Sequence, residues 1–175
     1  SHAELALDAQ GRVLGLRDLG PAISPFNAFM ILTGIETLPL RMQKHCENAK
    51  AVAEFLSTHP AVASVNYAGL ETDKYYRLAR KYAPKGAGAV FTFSLKGGYD
   101  AGVSLVSNLK LFSHLANVGD CRSLVIHPAS TTHFRMDDAA LAHAGIGPGT
   151  IRLSIGLETV DDIIADLDQA LKAAA

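Results

Sequence analysis

Three features of the sequence predict an α/β layer of the α+β kind, a small few-stranded sheet with helices packed on a face. Two long segments carry apolar residues at three- and four-residue steps, the pattern of amphipathic helices. Short β-branched or aromatic runs, bounded by Gly, Pro and Asn, read as strands. From residue 60 onward the two kinds alternate, an order that favours one sheet with covering helices.

Each element follows in turn. "SPFNAFMILTG" opens with Ser24 as N-cap and Pro25 at the first helical position, where its missing N–H costs little. Gly34 and Pro39 interrupt that pattern, and a second helix resumes near Thr37–Leu38. Its buried stripe is expected to be Leu38, Met42, Cys46, Ala49, Ala53 and Leu56, ending at "STHP". "AVASVNY" is a strand, "YYRLARKY" a helix, and "AGAVFTFSL" the strongest strand, stopped by the glycines at 97 and 98. "YDAGVSLVSNL" is helical. "LFSHLAN" and "SLVIHP" are two short strands about the turn "VGDCR". A helix near "DDAALAHAG" ends on Gly145 as a left-handed C-cap. "GTIRLSIGL" is the last strand. "TVDDIIADLDQALKA" is the last helix, with Val160, Ile163, Ile164, Leu167 and Leu171 on its apolar face.

A chain of 175 residues suits one domain, or a core with an appendage. At that size about 70% of the unfolded surface is buried, so folding needs neither disulfide nor metal. Net charge is −1 with no basic run, which argues against a nucleic-acid partner. No apolar stretch approaches the ~20 residues of a membrane span. The amino terminus lacks the layout of a signal peptide. Cys46 and Cys121 are far apart and outside any CxxC, so reduced thiols and a cytoplasmic location are expected.

The stretch "SLVIHPASTTH" raises a chemical question, because a strand runs straight into hydroxyls and two histidines. His127 and His133, with Asp137 or Asp138, match no common zinc spacing, and histidines bonded to loop backbone are the commoner case. "GIGPG" precedes a strand and lacks GKS/T, so it is a turn. Ser123 and His127 form no recognisable nucleophile–base pair. Arg152 differs, since it interrupts an apolar strand between Ile151 and Leu153. Alternation turns it to the opposite face from those two. A buried guanidinium demands an anion, and its fork suits a carboxylate. An edge-strand arginine reaching to solvent is the alternative, which the rarity of buried arginine favours.

Taken together, "ISPFNAF", "GIETLPLRMQKHCENA", "KLFSHLANVGDCRSLVIHPASTTH" and "IRLSIGLE" resemble the carboxyl-terminal portion of O-acetylhomoserine sulfhydrylases. These belong to the pyridoxal-phosphate-dependent Cys/Met metabolism family, with the cystathionine synthases and lyases. The resemblance runs from about Leu16 to Leu171 and leaves residues 1–15 unplaced. It implies that residues 16–175 form the carboxyl-terminal domain of a fold-type I pyridoxal-phosphate transferase. It also implies that Arg152 binds the α-carboxylate of an amino-acid substrate, and that Asn117 stands where the cystathionine branch has serine beside that carboxylate. Thr132, with Thr131 and "PAST", is expected on the same wall.

The family's Schiff-base lysine lies in a Ser-x-Thr-Lys context, and none of the eight lysines here does. Its phosphate cradle, its ring-stacking aromatic and the aspartate on the ring nitrogen are also missing. The resemblance therefore implies the smaller domain alone: no catalytic residue, no cofactor contact and no metal ligand in this chain, and no activity by itself. The implied parent is a homo-oligomeric, methionine-biosynthetic enzyme with pyridoxal phosphate, making homocysteine and acetate from O-acetylhomoserine and sulfide. A cystathionine synthase or lyase, an O-succinylhomoserine enzyme, and a catalytically empty interaction domain remain as alternatives.

Overall fold

The computed structural model describes residues 2–174, with side chains for 6–137 and 139–174. Two compact units divide the chain, with the break after Pro39.

In the first unit, α1 (His2–Gln10) runs into a π-helical stretch, Gly11–Asp18, which Gly20 ends at φ +66. Helix α2 (Pro25–Glu36) starts as its sequence dictates. The Ser24 hydroxyl accepts from the Asn27 N–H at 3.2 Å, and Pro25 occupies the first turn. Gly34 does not break α2, which continues to Glu36. None of its residues is buried, and Phe26 and Phe29 remain 70% and 63% exposed.

The second unit is built on a five-stranded sheet of order β1-β2-β5-β4-β3. The strands are β1 (Val62–Asn66), β2 (Val90–Leu95), β3 (Ser113–His114), β4 (Leu124–Ile126) and β5 (Thr150–Ser154). All pairings are antiparallel except β3 with β4. "LFSHLAN" yields only the two residues of β3, because the rest of that segment leaves the sheet. The remaining helices are α3 (Leu38–Thr58), α4 (Tyr76–Tyr82), α5 (Gly98–Asn108), α6 (Asp138–His143) and α7 (Val160–Ala173). The mixed α/β architecture agrees with the sequence expectation.

Period-two alternation sorts the sheet into two faces. Phe91, Phe93 and Leu95 of β2, Ile151 and Leu153 of β5 and Val125 of β4 belong to one apolar core, with Phe93 opposite Ile151 and Phe91 opposite Leu153. Helices α3, α5 and α7 cover that face through Val52, Leu56, Leu105, Ile163, Leu167 and Leu171. On α3 the expected stripe is shifted. Leu38 and Met42 are exposed and Cys46 is half-buried, while His45 and Asn48 are buried. Those two polar residues are inside because they hold the turn after β5 through its backbone carbonyls.

Tyr67 closes the β1 end of the core. Its ring packs on Phe91 with centroids 5.1 Å apart, and its hydroxyl donates to the Gly88 carbonyl at 2.9 Å. Burial, with a smaller contribution from Cys46, pushes its pKa up to about 12. The folded value lies above the ordinary phenol value, so the stabilising contribution of neutral Tyr67 is full below about 10 and fades as pH climbs toward about 12. Ultraviolet titration should show one of the five tyrosines ionising late. Tyr67→Phe should remove that step and flatten the alkaline loss of stability. Five tyrosines titrating together near 10 would refute the buried, bonded phenol.

Candidate functional site

The opposite face of the sheet carries Arg152. It sits on β5, the middle strand, paired with Thr92 of β2 on one side and Ile126 of β4 on the other. The edge-strand alternative is therefore corrected, since strand order, which the sequence does not display, puts this arginine at the centre. Among the described residues its guanidinium makes one hydrogen bond, from Nη2 to the Asn117 backbone carbonyl at 3.3 Å, and no ion pair.

A shallow concavity of about 450 Å³ surrounds it, lined by Ala116, Asn117, Val118, Ile126, Thr132, His133 and Arg152. The three residues singled out by sequence, Arg152, Asn117 and Thr132, thus meet in one place. Their contacts differ from expectation in detail. Asn117 offers Arg152 its backbone carbonyl, while its side-chain oxygen accepts from the Val118 N–H at 2.8 Å and shapes the loop. Thr132 is exposed, with Oγ1 2.8 Å from His133 Nδ1. Thr131 does not join this wall, because its hydroxyl donates to the His127 carbonyl at 2.8 Å. Ser130 lines a different hollow, about 850 Å³, with Tyr99, Phe134, Met136, Leu141 and Pro148. Among the described residues no charged side chain lines that hollow.

His127 is a core histidine. Its Nε2 lies 2.6 Å from the Pro148 carbonyl and Nδ1 2.9 Å from Ser130 Oγ, so both ring nitrogens are used. Because a carbonyl only accepts, Nε2 carries the proton. Gly102 of α5 makes room for the ring, since a Cβ there would come within 2.6 Å of Nε2. Asp137 caps α6 through the Ala140 N–H at 2.8 Å, and the Asp138 side chain lies outside the described residues. Among the described residues no three His, Cys, Asp or Glu side chains gather as a cation site would need.

What holds Arg152 in place is the turn after β5. Helix α3 inserts His45, whose Nδ1 meets the Ile155 carbonyl at 2.6 Å, and Asn48, whose amide donates to the Gly156 and Glu158 carbonyls at 3.0 and 2.9 Å. Ser123, just before β4, donates both its N–H (2.6 Å) and its hydroxyl (2.9 Å) to the Glu158 carboxylate. The Gly156 N–H in turn donates to Ser123 Oγ at 2.9 Å. A Cβ at Gly156 would strike Glu158 Oε2 and approach the Cys121 carbonyl to 2.5 Å, so only glycine lets the two chains pass. In the loop before β4 Asp120 receives the Arg122 N–H at 3.0 Å and its guanidinium at 3.3 Å. These bonds hold the Asp120 carboxyl below its usual range. Sequence reasoning missed this clamp, although "HCEN" placed polar residues on a stripe that was otherwise apolar.

A family model for Cys/Met metabolism PLP-dependent enzymes matches residues 4–172. The chain belongs to that family. It is 55% identical to an O-acetyl-L-homoserine sulfhydrylase of Leptospira meyeri over 96% of this chain and 38% of that protein. It is 50% identical to the enzyme of that name from Corynebacterium glutamicum, over 98% and 40%. An L-methionine gamma-lyase of Fusobacterium nucleatum subsp. polymorphum is 46% identical over 93% and 41%. A crystal structure of an O-acetylhomoserine (thiol)-lyase from Campylobacter jejuni, containing N'-pyridoxyl-lysine-5'-monophosphate, superposes with a TM-score of 0.85. That pair is 44% identical over 94% of this chain and 39% of that one. The chain thus spans about two fifths of the length of the relatives it matches.

Among the described residues none of the eight lysines lines the Arg152 concavity, so no Schiff-base partner for the pyridoxal phosphate of this family lies there. The fixed cation that lines it among the described residues is a guanidinium, whose planar fork can meet a carboxylate. Among the described residues no helix is long and apolar enough to cross a membrane.

The clamp is directly testable. Asn48→Ala leaves two backbone carbonyls without their donor, one of them in a buried bond. The expected cost is about 1–3 kcal/mol of unfolding free energy, read from urea denaturation. A variant as stable as the parent chain would show that the clamp carries no weight.

Proposed function

We propose that this chain is the carboxyl-terminal, substrate-carboxylate-binding domain of an O-acetylhomoserine sulfhydrylase. The parent enzyme, cytoplasmic and homo-oligomeric, converts O-acetylhomoserine and sulfide to homocysteine and acetate in methionine biosynthesis. Pyridoxal phosphate supplies the electron sink in such chemistry, and it is held by residues outside this chain, which alone is inactive. The observation that carries the reading is the convergence of Arg152, Asn117 and Thr132 in one concavity.

The residues of this chain do positional work. Arg152 takes the α-carboxylate with its fork. The Asn117 carbonyl keeps the guanidinium aimed, the Thr132 hydroxyl lines the wall, and the clamp from α3 keeps β5 from shifting. Fixing one end of a substrate lowers the entropic part of the barrier at the other. The gamma-lyase relatives support a second reading, in which a different reaction uses the same carboxylate site.

Arg152→Ala in a full-length enzyme carrying this domain tests the role. A desolvated charge-assisted pair is worth on the order of 2–5 kcal/mol, and roughly 1.4 kcal/mol is tenfold in rate or affinity. kcat/KM should therefore fall by roughly one and a half to three and a half decades while cofactor absorbance and fold persist. Arg152→Lys should recover little, because a point charge cannot reproduce the fork. A lowered Tm with turnover unchanged in the folded fraction would make Arg152 structural and overturn the proposal.

A further inference from the structure

The carboxylate concavity contains a second ionisable side chain that the proposed function does not use. His133 lines it together with Arg152. The imidazole is half-buried and its backbone is fixed, with its N–H donating to the Pro128 carbonyl at 2.9 Å. One ring nitrogen, Nδ1, lies 2.8 Å from Thr132 Oγ1. Among the described residues, Nε2 has no hydrogen-bond partner within the chain.

That arrangement allows the ring to gain charge without moving. In the neutral state Nδ1 accepts from the Thr132 hydroxyl or donates to it, according to the tautomer. After protonation Nδ1 donates to Thr132 Oγ1, which is equally able to accept. A hydroxyl partner thus leaves the protonation state free, where a carboxylate would have fixed it. No acidic side chain lines the concavity among the described residues. Among the described side chains, the acids nearby in sequence are engaged elsewhere, Asp120 by Arg122, Asp137 by the α6 cap and Glu158 by Ser123. The charged or titratable groups facing the ring's hollow are therefore Arg152 from β5 and His133 itself, since β4 contributes Ile126 and the loop before it Ala116, Asn117 and Val118.

We propose that His133 is a second carboxylate-positioning residue, which adds a titratable positive charge beside Arg152 and makes substrate-carboxylate affinity rise as pH falls. The proposal rests on the carboxylate reading of the concavity. The sign follows from linkage. A bound carboxylate favours protonated His133, so its pKa in the complex lies above that in the free chain. The extra affinity is complete below the free value and disappears as pH rises through the value in the complex. A charge in the same shallow, partly solvated hollow is worth about a fivefold gain in affinity.

The test uses this chain and L-homoserine, whose carboxylate stays charged from pH about 5.5 to about 8. Nuclear magnetic resonance titration gives Kd at each pH and follows the His133 ring. The parent chain should bind about fivefold more tightly at the acid end, by that Coulomb estimate, and the His133 midpoint should move up when ligand is present. His133→Gln keeps a hydrogen-bonding side chain but cannot ionise, and should bind with a pH-independent Kd close to the parent's alkaline value. Arg152→Gln should lose binding throughout. Binding by the parent chain that is flat with pH, or a slope that survives in His133→Gln, would overturn the role of His133 and leave the carboxylate site standing. Absence of binding by the parent chain at every pH would overturn both.

Discussion

A guanidinium on the central strand of a sheet, with a single long hydrogen bond to a backbone carbonyl among the described residues, is the constraint around which this molecule is organised. On the proposed carboxylate-binding reading, the fold must not supply an anion to this group internally, or the protein's own acid would fill the site. Glu158 shows how this is managed. It lies in the same "RLSIGLE" segment as Arg152, and both of its oxygens are taken by Ser123. The carboxylate that might have quenched the arginine instead ties the start of β4 to the turn after β5.

The two faces of the sheet divide the labour. One packs Phe91, Phe93, Ile151 and Leu153 under three helices and supplies most of the apolar burial. The other leaves Arg152 accessible between Thr92 and Ile126. A one-residue slip of β5 would exchange these faces, bringing Arg152 into the core. The bonds from His45 and Asn48 to Ile155, Gly156 and Glu158 therefore protect register as well as stability. Gly156 and Gly102 serve the same end by allowing close approach, the first for the Cys121–Arg122 backbone and the second for the His127 ring.

Much of this was legible in the residues. The Ser24 cap, the apolar face of α7, the alternation in β2 and β5 and the turn at "GIGPG" follow from local pattern, and the structure shows each. What pattern could not show was order across the sheet. Arg152 reads as an edge residue until β2 and β4 are seen on either side. The stripe on α3 misled for a related reason: His45 and Asn48 are buried to serve backbone carbonyls more than a hundred residues away in sequence. At the site, resemblance named Arg152, Asn117 and Thr132, and the structure brought them together. The fold alone shows that Asn117 meets Arg152 through its main chain, that the Thr131 hydroxyl bonds the His127 carbonyl, and that His133 shares the hollow.

The most direct measurement is a crystal structure of this chain with an α-amino acid bound. The account predicts the carboxylate seated in the concavity, its two oxygens accepting from the Arg152 fork at about 2.7–2.9 Å, with the Asn117 carbonyl still beside the guanidinium. An amino acid bound elsewhere, with Arg152 turned to solvent or to an acid of the chain, would contradict it.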